Sequence, residues 1–107
     1  MSHFIEVAST DQLAAGTGAL VKLPDTAIAL FNVKGKIFAI DDVCVRCGSS
    51  LAAGTLRATV IGCSGCDWHY DVTTGCVSGM PALRTETYEA KIVGASVFVA
   101  TIAKNTT

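Results

Sequence analysis

Four of the five cysteines in this chain form two pairs, Cys44-Val45-Arg46-Cys47 and Cys63-Ser64-Gly65-Cys66, and fifteen residues separate the pairs. At C-x2-C spacing, one tight turn aims two thiolates at a common point. Backbone N–H groups of the turn can donate to the sulfurs and offset their charge. Two such knuckles facing each other make a tetrahedral cage of four sulfurs, a donor set suited to zinc or iron. Cys44, Cys47, Cys63 and Cys66 are therefore the candidate metal ligands. Gly48 directly follows the first pair and lets the chain turn tightly there. The plainer reading is two disulfides or four unrelated buried thiols. Two pairs at this spacing within 23 residues argue against chance, and disulfides are rare in the cytosol.

The elements that must position these sulfurs read as strands. Phe4 to Ala8 is a short strand candidate, and Ser9 with Gln12 three residues on can cap a single helical turn. Ala19 to Leu23 reads as a strand ending at a Pro24-Asp25 turn. Thr26 to Val33 and Lys36 to Asp41 form a hairpin about Lys34-Gly35. Thr59 to Gly62 and Trp68 to Val72 flank the second cysteine pair, with Thr73-Thr74-Gly75 closing the latter strand. Thr87 to Val93 and Ser96 to Ile102 form a last hairpin around Gly94-Ala95. The 104–107 tail is polar and expected to fray. Many short strands with glycine-marked turns predict a small all-β antiparallel sandwich or barrel.

At 107 residues with a net charge of −1, the chain has room for one domain, residues 1–107, and no basic patch for nucleic acid. No apolar run reaches the length of a membrane span, and residues 1–6 lack a signal-peptide pattern. The cytoplasm is the expected location. Half of the residues are hydrophobic but only 7% are aromatic, so the core is built of small side chains. No phosphate-cradling loop, nucleophile elbow or carboxylate pair stands out, and no small-molecule substrate site is expected.

The segment from Cys44 through Gly48 and Gly54 to Leu56 resembles the first cluster loop of Rieske-type ferredoxins, which reads C-x-H followed by Gly, Leu and Gly. Val60 to Gly75 resembles the second loop, C-x2-H, with the strand and T-G turn behind it. Gly79-Met80-Pro81-Ala82-Leu83 is similar to the family's proline-containing loop that covers the cluster. Thr87 to Val93 and Val97 to Val99 resemble its closing hairpin. The resemblance implies a Rieske-like fold with metal-binding hairpin loops at about residues 44–54 and 62–71 and a covering loop at about 79–83.

A Rieske centre places two cysteines on one iron and two histidines on the other. Cys44 and Cys63 occupy the cysteine positions. Arg46 stands where the first histidine belongs and Cys66 where the second belongs, and Cys47 offers a replacement thiolate. The ligand set thus reads as four cysteines. It could hold a single iron, as rubredoxins do, a four-cysteine [2Fe–2S] cluster, or structural zinc. With iron, four thiolates should lower the potential relative to the mixed set, because they carry more negative charge.

His69 mimics the family's C-x2-H when counted from Cys66, but the offsets from Cys44 and to Gly75 are then wrong by three residues, so it reads as a strand residue. Cys76 reads as a small packed hydrophobe, Ser49 and Ser50 as loop residues, and His3 as solvated. Trp68 and Tyr70 alternate on one core face. Arg46 reads as a solvated tip residue that could offset the site's charge or meet an acidic partner. By resemblance, the protein is an electron carrier rather than an enzyme, with a flavoprotein reductase upstream and an oxygenase or other oxidoreductase downstream. The rival class is a non-redox protein whose zinc site supports partner binding. A thiol–disulfide protein would need a βαβ context that the sequence lacks.

Overall fold

β-Branched and aromatic residues recur at close spacing along the chain, and strands follow from them. The structure is a computed structural model; it describes residues 4–24 and 26–103, with 101–103 as backbone alone. In chain order the strands are β1 (Phe4–Ser9), β2 (Gly18–Lys22), β3 (Ala27–Val33), β4 (Lys36–Asp41), β5 (Thr55–Arg57), β6 (Val60–Gly62), β7 (His69–Asp71), β8 (Cys76–Val77), β9 (Met80–Arg84), β10 (Thr87–Val93) and β11 (Ser96–Ala103). Among the described residues the only helix is one 3-10 turn, Thr10–Gln12. It begins where expected, with the Ser9 N–H donating to Gln12 Oε1 at 3.0 Å. His3, Asp25 and residues 104–107 lie outside the described residues. Among those described, no helix is long and apolar enough to cross a membrane.

The strands make two antiparallel sheets. One has six strands in the order β1-β11-β10-β4-β3-β2, the other five in the order β5-β6-β7-β8-β9. The hairpin β3–β4 joins their cores. Ile28 and Leu30 of β3, with Ile37 and Ala39 of β4, face a core shared with Leu13, Tyr88, Val97 and Val99. Ala29, Phe31 and Ile40 point the other way, into a core with Leu51, Ile61, Tyr70, Val72 and Val77. A strand buried on both faces reads as a continuous apolar run, which is the sequence Ala27-Ile28-Ala29-Leu30-Phe31. The tight turn between β3 and β4 has Lys34 and Gly35 at φ of 53° and 92°, the paired positive φ values that suit a two-residue hairpin loop.

Three strands depart from the sequence reading. Thr55–Arg57 and Cys76–Val77 are too short for a period-2 pattern to register. The 79–83 segment, expected as a loop, is drawn out into β9, which pairs with β8 and is exposed along its whole length. Pro81 is tolerated because β9 is the last strand of its sheet and leaves one edge unpaired. The five-stranded sheet presents the two cysteine loops. The first runs from the end of β4 to β5, and the second joins β6 to β7.

Candidate metal centre

Each cysteine loop is fixed at its base before it reaches the sulfurs. In the first loop Asp42 is buried, and its Oδ1 accepts the Ser50 hydroxyl at 2.9 Å and the Ala52 N–H at 2.8 Å. The Leu51 N–H donates to the Asp42 carbonyl at 2.6 Å. Inside that frame the Cys44 N–H donates to the Ser49 carbonyl at 3.0 Å, and the Gly48 N–H to the Cys44 carbonyl at 2.9 Å. Gly48 has a φ of +79°, a conformation that side chains disfavour. In the second loop the Cys63 N–H donates to the Trp68 carbonyl at 2.9 Å. The Ser64 hydroxyl reaches across to the Ser50 carbonyl at 3.0 Å and ties the loops together. A Cβ at Gly65 would collide with the Ser49 side chain and lie 3.2 Å from Cys47 Sγ. Glycine there is what lets the second knuckle close on the first.

The four sulfurs of Cys44, Cys47, Cys63 and Cys66 all lie within 4.8 Å of one another. Cys44 and Cys66 are 3.9 Å apart, and Cys47 and Cys63 are 3.5 Å apart. Cys44 is buried, Cys63 and Cys66 are half-buried, and Cys47 is exposed. The group therefore has a protein side and a solvent side.

Backbone N–H groups face all four sulfurs. Arg46 and Cys47 serve Cys44, Ser49 serves Cys47, Gly65 serves Cys63 at 3.4 Å, and Trp68 serves Cys66. The Tyr70 hydroxyl adds a contact to Cys44 Sγ at 3.2 Å. Burial opposes ionisation of Cys44, but Tyr70 and the Cys47 and Arg46 N–H groups outweigh it, and its pKa falls. The Ser49 hydroxyl, then the Ser49 N–H, lower Cys47 to about 6. Burial pushes Cys63 up to about 12, and the neighbouring sulfurs add to the rise. The Trp68 N–H favours the Cys66 thiolate, but burial and the sulfurs of Cys47 and Cys44 turn its shift upward. Four thiols this close cannot all ionise without a cation among them.

The other expected residues fall as follows. His69 lies in β7, exposed, and is not part of the sulfur group. Cys76 lies in β8, also outside it. Trp68 and Tyr70 do share a core, with Tyr70 fully buried. Arg46 is more than a solvated tip. Its guanidinium lies 5.5 Å from the Trp68 ring centroid, and Nη1 lies 3.5 Å from Asp67 Oδ1, so it spans from the first knuckle to the second. An open groove of about 630 Å³ runs beside Cys63 and Cys66 and is lined also by Arg57, Asp67 and His69. Sequence reasoning missed the Tyr70 hydroxyl, Asp42, Ser49 and the Arg46–Asp67 pair. A buried tyrosine must satisfy its hydroxyl, and that was the one available signal.

Residues 3–101 match the Rieske [2Fe-2S] domain. The chain belongs to the Rieske family. It is 31% identical over 105 residues to the ferredoxin component of the p-cumate 2,3-dioxygenase system of Pseudomonas putida, covering 92% of this chain and 86% of the relative. It is 32% identical over 98 residues to the biphenyl dioxygenase ferredoxin subunit of Pseudomonas sp. strain KKS102, covering 90% of each. Among solved structures, a chain in the complex of reduced oxygenase and oxidized ferredoxin in carbazole 1,9a-dioxygenase superposes with a TM-score of 0.88 at 24% identity, over 97% of this chain and 98% of that one. The ferredoxin of carbazole 1,9a-dioxygenase from Nocardioides aromaticivorans IC177 gives 0.84 at 24% identity, over 92% and 98%. These structures share the Rieske fold.

The family implies an iron–sulfur cluster, and this Rieske chain offers it an unusual donor set. A Rieske centre needs two imidazoles on its outer iron. Arg46 and Cys66 stand in their place, and the clustered donors are four sulfurs. The two-cysteine, two-histidine centre does not fit these residues.

Proposed function

We propose that this protein is a small electron carrier, with iron held by Cys44, Cys47, Cys63 and Cys66, that passes electrons from a flavoprotein reductase to an oxygenase or related oxidoreductase. The observation that carries the reading is the convergence of four sulfurs at the tips of two braced loops with Cys47 exposed. Iron in such a site exchanges one electron between its ferric and ferrous states.

The protein's own residues serve that exchange in three ways. The backbone N–H groups that face the sulfurs would offset the negative charge of the four thiolates and of a bound iron when it is reduced. The braced loops would hold the four sulfurs in place around a bound ion. The exposed Cys47, with Val45 beside it 52% exposed, forms an apolar tip through which a partner could reach the metal within a short distance. The two curated relatives are ferredoxin components of dioxygenase systems, and a partner of that kind suits a carrier with no chemistry of its own. The reduced thiols of such a site suit the cytoplasm.

The test is an anaerobic spectroelectrochemical titration of the natively purified protein. A visible chromophore that bleaches and recovers in a one-electron wave is the expected result. A colourless zinc protein with no wave would overturn the proposal and favour a partner-binding role.

A further inference from the structure

We infer that the four cysteines hold a single metal ion rather than a two-iron cluster. The inference rests on the reading of these cysteines as metal ligands.

Sulfur spacing is the first argument. Four thiolates about 2.3 Å from one ion occupy the corners of a tetrahedron with edges of about 3.8 Å. A two-iron cluster is two such tetrahedra sharing an edge of inorganic sulfides. The thiolates on one iron are then roughly 5.3–6.5 Å from those on the other, and four of the six thiolate pairs must be that far apart. Here all six pairs lie within 4.8 Å. The family assignment puts Cys44 and Cys63 on one iron and leaves Cys47 and Cys66 for the other. The two short separations, 3.9 Å for Cys44–Cys66 and 3.5 Å for Cys47–Cys63, would then both span the cluster. Any other division of the sulfurs into two pairs fails on the same 4.8 Å limit.

The second argument is the repeated turn. In each knuckle both sulfurs are faced by the N–H two residues further on: Arg46 for Cys44, Ser49 for Cys47, Gly65 for Cys63, Trp68 for Cys66. The two loops thus share one local donor pattern, which gives each of the four sulfurs an N–H of the same kind. A Rieske cluster instead has an inner and an outer pair of ligands of different reach.

The third is the lock between the loops. Admitting two irons and two sulfides would require the knuckles to move apart. The Ser64 hydroxyl on the Ser50 carbonyl, at 3.0 Å, and the close seating of Gly65 against Ser49 oppose that movement.

The test is metal and acid-labile sulfide analysis on the full chain, purified anaerobically from iron-replete and zinc-replete cultures, with metal-edge X-ray absorption on the same samples. One metal per chain, no sulfide, and a single shell of sulfur neighbours without metal–metal scattering is expected. If that metal is iron, the electron-carrier reading stands as well. If it is zinc from both cultures, the single-ion inference stands and the electron-carrier reading fails. Two irons with two sulfides, or an iron–iron distance in the absorption data, would overturn the inference while leaving the carrier reading intact. No bound metal from either culture would also overturn it.

Discussion

The Tyr70 hydroxyl lies 3.2 Å from Cys44 Sγ while accepting the Val45 N–H at 3.0 Å. Because the oxygen is already an acceptor, its own proton is free to point at the sulfur. Burial, and then the Cys44 sulfur, hold the hydroxyl in its protonated form, well above the ordinary tyrosine range. With Cys44 as a thiolate, Tyr70 is thus the donor to the most buried of the four candidate ligands. A donor to a thiolate favours the more negative, reduced state of the metal. Tyr70→Phe should lower the reduction potential, by about 59 mV if the bond differs tenfold between the two states. Protein-film voltammetry of both proteins checks this. An unchanged or raised potential would remove Tyr70 from the tuning of the site.

Removing single ligands separates the four clustered thiols from the fifth. Cys44→Ala, Cys47→Ala, Cys63→Ala and Cys66→Ala should each lose most of the bound metal, because a closed site with three sulfurs gives up both charge and geometry. Cys76→Ala should retain it, since Cys76 lies outside the sulfur group. Metal content of the five purified variants is the readout.

Asp42 carries the base of the first loop. Asp42→Ala leaves the Ser50 hydroxyl and the Ala52 N–H without their acceptor. We expect a loss of about 1–3 kcal/mol in stability and faster release of metal to a chelator. Urea unfolding, paired with a timed chelation assay, measures both effects.

Metal removal should act on one core more than the other. The core of Leu51, Ile61 and Tyr70 also contains Cys44, and Cys63 and Cys66 pack against it. The core of Leu13, Ile28, Leu30 and Val97 contains no ligand. Hydrogen exchange on the metal-free protein should show protection lost across 44–71 and retained in β3, β10 and β11.

Tyr88 predicts the behaviour at high pH. Its hydroxyl donates to Asp41 Oδ1 at 2.7 Å. Burial, followed by the Asp41 carboxylate, raises its pKa from 10.0 to about 12. As pH passes 10 the unfolded chain loses this proton first, so the folded state is the tighter proton binder. The stabilisation is present below pH 10 and is lost as pH climbs towards 12. Tyr88→Phe should lower stability at neutral pH and flatten its fall in alkali. Urea midpoints across that range, for both proteins, give the comparison.

Much of this arrangement was legible in the sequence, for identifiable reasons. The hairpins Ala27–Asp41 and Thr87–Ala103 show themselves through long apolar runs and glycine turns. The cysteine pairs show themselves because two-residue spacing is a local geometric requirement. β5 and β8 have too few residues to display a period, and Pro81 disguised β9. The finer structure of the site depends on residues far apart in sequence. Tyr70 is 26 residues from Cys44, and Asp67 is 21 from Arg46. No local pattern links such pairs. Nor does ligand type alone favour one metal over two; the inference of a single ion draws on the distances between the sulfurs.

Electron paramagnetic resonance of the natively purified protein, as isolated in air and after reduction by dithionite, distinguishes one iron from two. A lone ferric ion in four thiolates has unpaired electrons, and its signal should be present when oxidised and disappear on reduction. Two coupled ferric ions cancel each other's spin. Silence when oxidised and a signal only after reduction would contradict the single-iron centre, and silence in both states would contradict an electron-carrying one.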